Sequence, residues 1–479
     1  MDYSKWLFIT FIAMLAINAL VSLFPYVRRF LPGAETQEVK KLVAPLIFSH
    51  FQPLRSENIL IAERRFPYRM RADLQRALDK IVADESKTLR FTSVRFEYYG
   101  NQISLADCMI HSEQNPITAA PTQYEELDIG EEEPLRVLKN GLWLLEQNHV
   151  RFAVLLSPHS TIQQTTGVQI QIGVPNDAKG KVIASSFFDC LEKAVSTAAS
   201  YRGKILSLEQ SVHSYSGESA GIKVHKLRHV ERDQIILPET TLRLLERNVI
   251  DFVKNRSKLA KLGMSTKKGI LIYGPPGTGK THTIHFLTRA LESHTTLLIS
   301  AEQVGLLGEY MTLARLLQPS IVVVEDADLI ARDRMNMDSP CEEVLLNKLL
   351  NEMDGLNEDA DILFLLTTNR PETLEAALAS RPGRIDQAIE FPLPDELGRR
   401  KLVSLYGGNL ALDDDIKDSI AIRTQGVSAS FIKELMRRIS QYAIERDGAV
   451  RVNTNDIDYA LDEMLVKGGK LNLSILGGG

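Results

Sequence analysis

GILIYGPPGTGKTHTIHFLTRAL, Gly269 to Leu291, decides the fold. ILIY is an apolar run of strand length. The next eight residues, Gly274, Pro275, Pro276, Gly277, Thr278, Gly279, Lys280 and Thr281, satisfy G-x-x-x-x-G-K-[ST]. Apolar side chains then recur at Ile284, Leu287 and Leu291, the spacing of one helix face. Strand, Gly-rich loop and helix in that order predict a phosphate-binding loop in a parallel α/β sheet. Gly277 and Gly279 let the backbone curl so that its N–H groups face phosphate oxygens, and the helix N-terminus adds partial positive charge. Lys280 is expected to reach the β and γ phosphates of ATP, and the Thr281 hydroxyl to bind Mg2+. A chance Gly/Pro-rich turn would lack the strand before it and the helix after it.

Further on, IVVVEDADLI (Ile321 to Ile330) runs four β-branched residues into two acids. In a nucleotide hydrolase such a strand end manages magnesium and an attacking water. The usual order is Asp then Glu; here Glu325 precedes Asp326. The common pattern is two acids, an apolar residue, then Asp. E-D-A-D fits it only if Glu325 comes first, so Asp328 sets the register and the pair is an exchange. Glu325 gains a methylene towards the metal, where an intervening water absorbs the length. Asp326 loses one at the lytic water, where a displacement of about 1 Å can cost on the order of 10²-fold in rate. A working but slow hydrolase is expected.

The chain has 479 residues, room for two or three domains. A formal net charge of -5 argues against a general nucleic-acid coat, and no nucleic-acid partner is expected. Cys108, Cys190 and Cys341 lie far apart without C-x-x-C spacing, which disfavours a disulfide framework or a zinc site.

Trp6 to Phe24 is 19 residues without a charge. As a helix it spans roughly 28 Å, about the hydrocarbon core of a bilayer. Trp6 and Tyr26 suit the interfacial belts, and Pro25 closes the run. No clean A-x-A site follows, which disfavours a cleaved signal peptide. A single transmembrane anchor is expected within residues 1–29. Arg28, Arg29, Lys40 and Lys41 follow it, so the body is expected on the cytoplasmic (or matrix) side of the membrane.

Residues 30–227 carry no chemical motif and read as an α+β domain, in one part or two. FPYRMRADLQRALDKIVAD (66–84) has helical spacing, and LRFTSVRFEYYG (89–100) alternates like a strand. EELDIGEEE (125–133) marks an acidic break near 125–135. RFAVLLSP, VQIQIGVP and KVIASSFFDCLEKAV suggest strand, strand, and strand running into helix.

The motifs after the phosphate loop narrow the family. They are the acids at 325–326, LLNEMDGL (349–356), DILFLLTTN ending at Asn369, RPGRID (381–386) and FPLPD (391–395). In this order they resemble the AAA ATPase module, from about Glu231 to Lys467. The layout is closest to the membrane-anchored group that includes the mitochondrial assembly ATPase of respiratory complex III. The resemblance implies a large α/β subdomain at 228–395 (a parallel sheet with flanking helices) and a helical lid at 396–467; beyond it, LNLSILGGG in 468–479 is expected to be a flexible tail. It implies that Glu325 binds magnesium through water and Asp326 orients the lytic water. Asn369 matches the polar sensor, and Arg381 and Arg384 match arginine fingers supplied to a neighbouring subunit. It further implies a ring homo-oligomer, a hexamer by family likeness, acting on a protein substrate.

This sequence departs from the pattern at the axial loop. Many relatives carry an aromatic–hydrophobic–Gly grip there; the matching positions are Leu306, Leu307 and Gly308. Only ten residues separate Gly308 from Pro319, about two helical turns fewer than usual. No H-E-x-x-H is present, so the built-in zinc protease of some membrane relatives is missing. The expected function is ATP hydrolysis by a membrane-anchored ring that remodels, unfolds or assembles proteins. The alternative is a nucleotide-gated membrane scaffold or switch with negligible turnover.

Overall fold

The computed structural model describes residues 42–85, 87–95, 103–110, 116–160, 165–209, 221–328, 349, 351–357, 360–372, 384–448 and 451–467. The apolar run at 6–24 and Arg381 lie outside the described residues. Among those described, no helix is long and apolar enough to cross a membrane.

The N-terminal body is built on an antiparallel sheet. Its strands are β1 (Ile59–Pro67), β2 (Lys87–Arg95) and β3 (Thr118–Ala120), then, beyond a separate hairpin of β4 (Tyr124–Leu127) and β5 (Leu135–Leu138), β6 (Gly141–Gln147), β7 (Val150–Ser160) and β8 (Thr165–Pro175). The spatial order is β1-β8-β7-β6-β2-β3. Helix α1 (Val43–Phe51) covers one face through Leu142, Leu144, Ala153 and Leu155. Helices α2 (Arg71–Lys80) and α3 (Ala178–Thr197) cover the other through Val154, Ile170 and Ile172. With both faces buried, the first five residues of β6, GLWLL, are apolar without alternation.

Two expectations for this region are corrected. KVIASSFFDCLEKAV is helix throughout, not strand into helix. Asp177 caps α3 by accepting from the Gly180 N–H at 2.7 Å. The apolar residues that imitate a strand, Ile183, Phe187, Phe188 and Leu191, recur at helical spacing and face the sheet. The acidic run at 125–133 is no boundary between two parts. It is the end of β4 and the turn towards β5, where Asp128 accepts from the Gly130 N–H at 2.8 Å.

The second sheet holds seven strands: β9 (Ile205–Leu208), β10 (Ile222–His225), β11 (Lys268–Tyr273), β12 (Thr295–Ile299), β13 (Ser320–Val324), β14 (Ile362–Thr368) and β15 (Gln387–Glu390). Their order is β10-β9-β12-β13-β14-β11-β15, parallel from β9 to β15. Every residue of β13 and β14 is buried, which is why their stretches IVVV and ILFLL read as unbroken apolar runs. Strands β9 and β10 correct the expected boundary at 227/228, because β9 pairs with β12 and belongs to this sheet. Four-residue strands without a motif leave no signal of which sheet they join.

Helices α4 (Lys280–Ala290) and α5 (Leu307–Leu316) follow β11 and β12. The lid comprises α6 (Glu396–Gly407), α7 (Asp414–Arg423), α8 (Ala429–Asp447) and α9 (Thr454–Asp462) around Leu402, Phe431, Leu435, Ile439 and Ile457. Ser428 and Asn453 cap α8 and α9, accepting from Phe431 N at 3.2 Å and Asp456 N at 3.0 Å.

Candidate active site

The carboxyl ends of β11, β13 and β14 lie side by side, the place where an open parallel sheet leaves a crevice for a ligand. The loop 274–279 leaves β11, and Gly277 and Gly279 take φ of 77° and 95°. Lys280 begins α4 and is only 6% exposed. Its Nζ donates to Gly274 O at 2.8 Å and Pro275 O at 2.9 Å. Burial pushes its pKa down to about 8, against the opposing pull of Asp326 and Asp328. Carbonyl dipoles alone do not neutralise this cation; phosphate oxygens entering the loop would. The lid sits directly on the loop. Ser430 N donates to Gly277 O at 3.1 Å, and a Cβ on Gly277 would collide with Ser430 Oγ.

The acid pair is held by the neighbouring strands. Glu325 N donates to Ile299 O at 3.2 Å, after which the chain turns sharply. Asp326 has φ 49°, a left-handed conformation costing roughly 1 kcal/mol. Its N–H donates to Thr367 Oγ1 at 3.1 Å, and Ala327 N donates to Thr367 O at 2.8 Å. The Asn369 amide donates to Asp326 Oδ1 at 2.9 Å. Asp328, 1% exposed, accepts from Thr368 Oγ1 at 2.9 Å and from Asn369 N at 3.2 Å. It does more than set the register: it places Asn369.

Glu325 Oε1 is buried with no hydrogen-bond partner among the described residues. Such an oxygen is costly unless a ligand satisfies it. That oxygen just beyond β13, and the hydroxyl of the exposed residue Thr281 at the head of α4, are ligands of the kind a hydrated magnesium ion takes. Two histidines missed in the sequence lie in the first turns of α4. His285 is one helical turn beyond Thr281, and its pKa is lowered by burial against the pull of Glu325. The His282 pKa is also lowered by burial. The i, i+4 spacing from Thr281 is the signal that finds His285.

Arg384 lies elsewhere. Asp386 N donates to Gly269 O at 2.8 Å, and Gly269 N donates to Asp386 Oδ2 at 2.7 Å. Arg384 is therefore anchored at the start of β11, whereas the phosphate loop leaves its end. Gly274 is five residue steps along the strand from Gly269, about 17 Å. The guanidinium pairs with Asp354, is 10% exposed, and lines a cavity of about 370 Å³ with Phe252, Lys268, Met353 and Asp386.

The axial candidates are corrected. Leu307 is 1% exposed and packs in the core with Tyr310 and Met311, while Leu306 is partly buried against the same cluster. With ten residues in α5, its first turn already packs on the sheet in order to return Pro319 to the head of β13. No aromatic or aliphatic grip projects from either position.

Residues 270–393 match the family described as ATPase family associated with various cellular activities (AAA). The chain is 35% identical over 233 residues to an ATP-dependent zinc metalloprotease FtsH of Mycoplasmopsis pulmonis, covering 45% of this chain and 31% of that protein. It is 34% identical over 241 residues to a proteasome-activating nucleotidase of Sulfurisphaera tokodaii, covering 47% and 60%. It is 26% identical over 413 residues to the 26S proteasome regulatory subunit 8 of Dictyostelium discoideum, covering 82% and 96%. The chain thus spans less than two thirds of the length of the first two relatives.

Proposed function

We propose, on the premise that this chain carries an ATPase domain of the AAA family, that it hydrolyses ATP with Mg2+ as a ring-forming motor that rearranges proteins. One observation carries the reading: Lys280, Glu325, Asp326 and Asn369 converge at adjacent strand ends, with Asn369 bonded to Asp326 at 2.9 Å. In this reading the 274–281 loop and Lys280 hold the phosphates. Thr281 and Glu325 would hold the magnesium ion, which when bound neutralises phosphate charge. Asp326, fixed by Asn369, orients the attacking water and accepts its proton.

The position of Arg384 supports the ring: it lies at the far end of β11 from its own phosphate loop, and in this proposal it serves the site of a neighbouring subunit. Arg381 joins it in this proposal on sequence alone. The protein substrate is inferred from what the relatives are called and from the absence of a nucleic-acid signature. The anchor at 6–24 and a cytoplasmic or matrix-side body remain part of the proposal, supported by apolar length and the flanking Arg28, Arg29, Lys40 and Lys41.

The test is phosphate release by the purified full chain with Mg-ATP, with oligomeric state followed by sedimentation. Steady release abolished by Lys280→Ala supports the motor. Tight binding and assembly without release would instead mark a nucleotide-gated scaffold.

A further inference from the structure

Residues 301–316 hold the place where a ring ATPase presents a loop to its substrate, yet they are joined to the chain's own N-terminal body. Leu307, Tyr310, Met311, Leu313 and Ala314 share one core with Ala72 of α2 and with Leu127, Ile129 and Val137 of the β4–β5 hairpin. The Tyr310 hydroxyl accepts from Leu208 N at 2.7 Å and donates to Gln303 Oε1 at 3.0 Å. Gln303 Nε2 in turn donates to Leu208 O at 2.8 Å, so the start of the segment is hydrogen-bonded to the end of β9. On the exposed side, Arg69 pairs with Glu309 at 3.2 Å. At the other end, Arg202 donates to Leu316 O at 2.9 Å and to Gln318 O, satisfying carbonyls at the C-terminus of α5.

The connection from α3 to β9 has no slack either. Ser200 N donates to Asp73 Oδ1 at 2.9 Å, Tyr201 is buried, and Gly203 N donates to Thr295 Oγ1 at 3.0 Å. Lys204 Nζ donates to Ile129 O. The last turn of α3, the β4–β5 hairpin, β9 and α5 therefore form one packed block that belongs to both domains.

We propose that residues 301–316 are an internal transmission surface. The ATPase domain drives its own N-terminal body through them, and they do not serve as a grip on an extended polypeptide. This rests on the ATPase reading above. An element whose apolar face is covered and whose two ends are tied grips an extended polypeptide only by leaving the block, and the short α5 leaves it no length to do so.

Two measurements test this on the full chain. In the first, Arg69→Cys and Glu309→Cys are combined with Cys190→Ser and Cys341→Ser and bridged by a short, reductively cleavable bis-maleimide. The bridged protein is expected to release phosphate within about twofold of the unbridged one, because a joint that stays closed through the cycle does not limit it. A loss of tenfold or more, reversed by reductant, overturns the proposal, since it means that the segment separates from the N-terminal body during turnover. In the second, Mg-ATP is expected to change hydrogen exchange in peptides covering 68–80 and 124–138. Arg202→Ala is expected to abolish that change while nucleotide affinity is retained. No nucleotide-dependent change in those peptides of the native chain also overturns the proposal. The exchange response needs nucleotide binding but no turnover. Missing phosphate release in the unbridged parent therefore counts against the hydrolase reading, and the exchange result still decides the transmission surface.

Discussion

Asn369 and Asp326 sit at the ends of neighbouring strands, and the Asn369 amide donates to Asp326 Oδ1 at 2.9 Å. Asp328 holds the Asn369 N–H from the other side at 3.2 Å. One side chain thereby aims the proposed base, and a third carboxylate aims that side chain. Removing the amide leaves Asp326 free to rotate. Asn369→Ala is expected to lower kcat by about 10²-fold with little change in KM for ATP, the signature of lost positioning in the transition state. A variant with native kcat would remove Asn369 from the reaction.

Exchanging the acids tests why the order is Glu then Asp. The left-handed turn at Asp326 and the bond from Asn369 suit a short side chain. Glu325→Asp with Asp326→Glu pushes the second carboxylate about 1.5 Å beyond its partner, and turnover should fall on the order of 10²-fold. A large gain would instead show that the native order throttles the motor. Single-turnover phosphate release separates the two outcomes.

Because Arg384 is anchored at the start of β11, its loss should be complemented by a different subunit. Arg384→Ala alone is expected to cost about 10³-fold or more in kcat while nucleotide binding persists. Mixed with Lys280→Ala subunits, which carry the arginine but cannot bind phosphate, it should regain part of the activity. If the mixture is as inactive as either parent at every ratio, the site is not shared between subunits.

The lid holds a pH-dependent contact. Glu434 accepts from Arg437 at 2.7 and 2.8 Å and from Arg438 at 2.8 Å. These hydrogen bonds, Arg437 first, bring its pKa down to about 2. A depressed carboxylate stabilises the fold above its unfolded value, and that gain is lost as pH falls through the folded one. Glu434→Gln should lower Tm at neutral pH, a modest effect of about 1 kcal/mol or less because solvent screens the cluster. The difference from the native chain should shrink between the ordinary glutamate range and about pH 2. Calorimetric scans across that range check it.

The phosphate loop and the acid pair were legible because each is a local demand on residue type. A loop that wraps phosphate needs its glycines and its lysine at fixed offsets, whatever surrounds it. The lid helices were legible because their buried stripes keep helical spacing. In the N-terminal body α2, β2, β7 and β8 were legible from their spacing, but β6 was not, because a strand covered on both faces loses the alternation that marks it, as GLWLL does. The burial of Leu307 was hidden as well. A position expected on the axis turned inward because the shortened α5 packs on the sheet from its first residue, a consequence of length and not of side-chain type. Asp328 was noticed only as a register mark; its bond to Asn369 depends on β13 and β14 being neighbours.

Strands β9 and β10 give the molecule an indivisible unit that its motifs do not mark. A cut at 227/228, where the recognisable ATPase begins, would strip two strands from the seven-stranded sheet and leave β12 with an open edge. Bare parallel edges recruit other strands, so such a fragment would tend to aggregate. Proteases should cut slowly between Ala198 and Ile205, where Arg202 and Gly203 are exposed but the chain is held by hydrogen bonds at Ser200, Gly203 and Lys204. The N-terminal body could not then be exchanged for another as a cassette. Any replacement would have to bring its own strands to finish the ATPase sheet, so the two halves must change together.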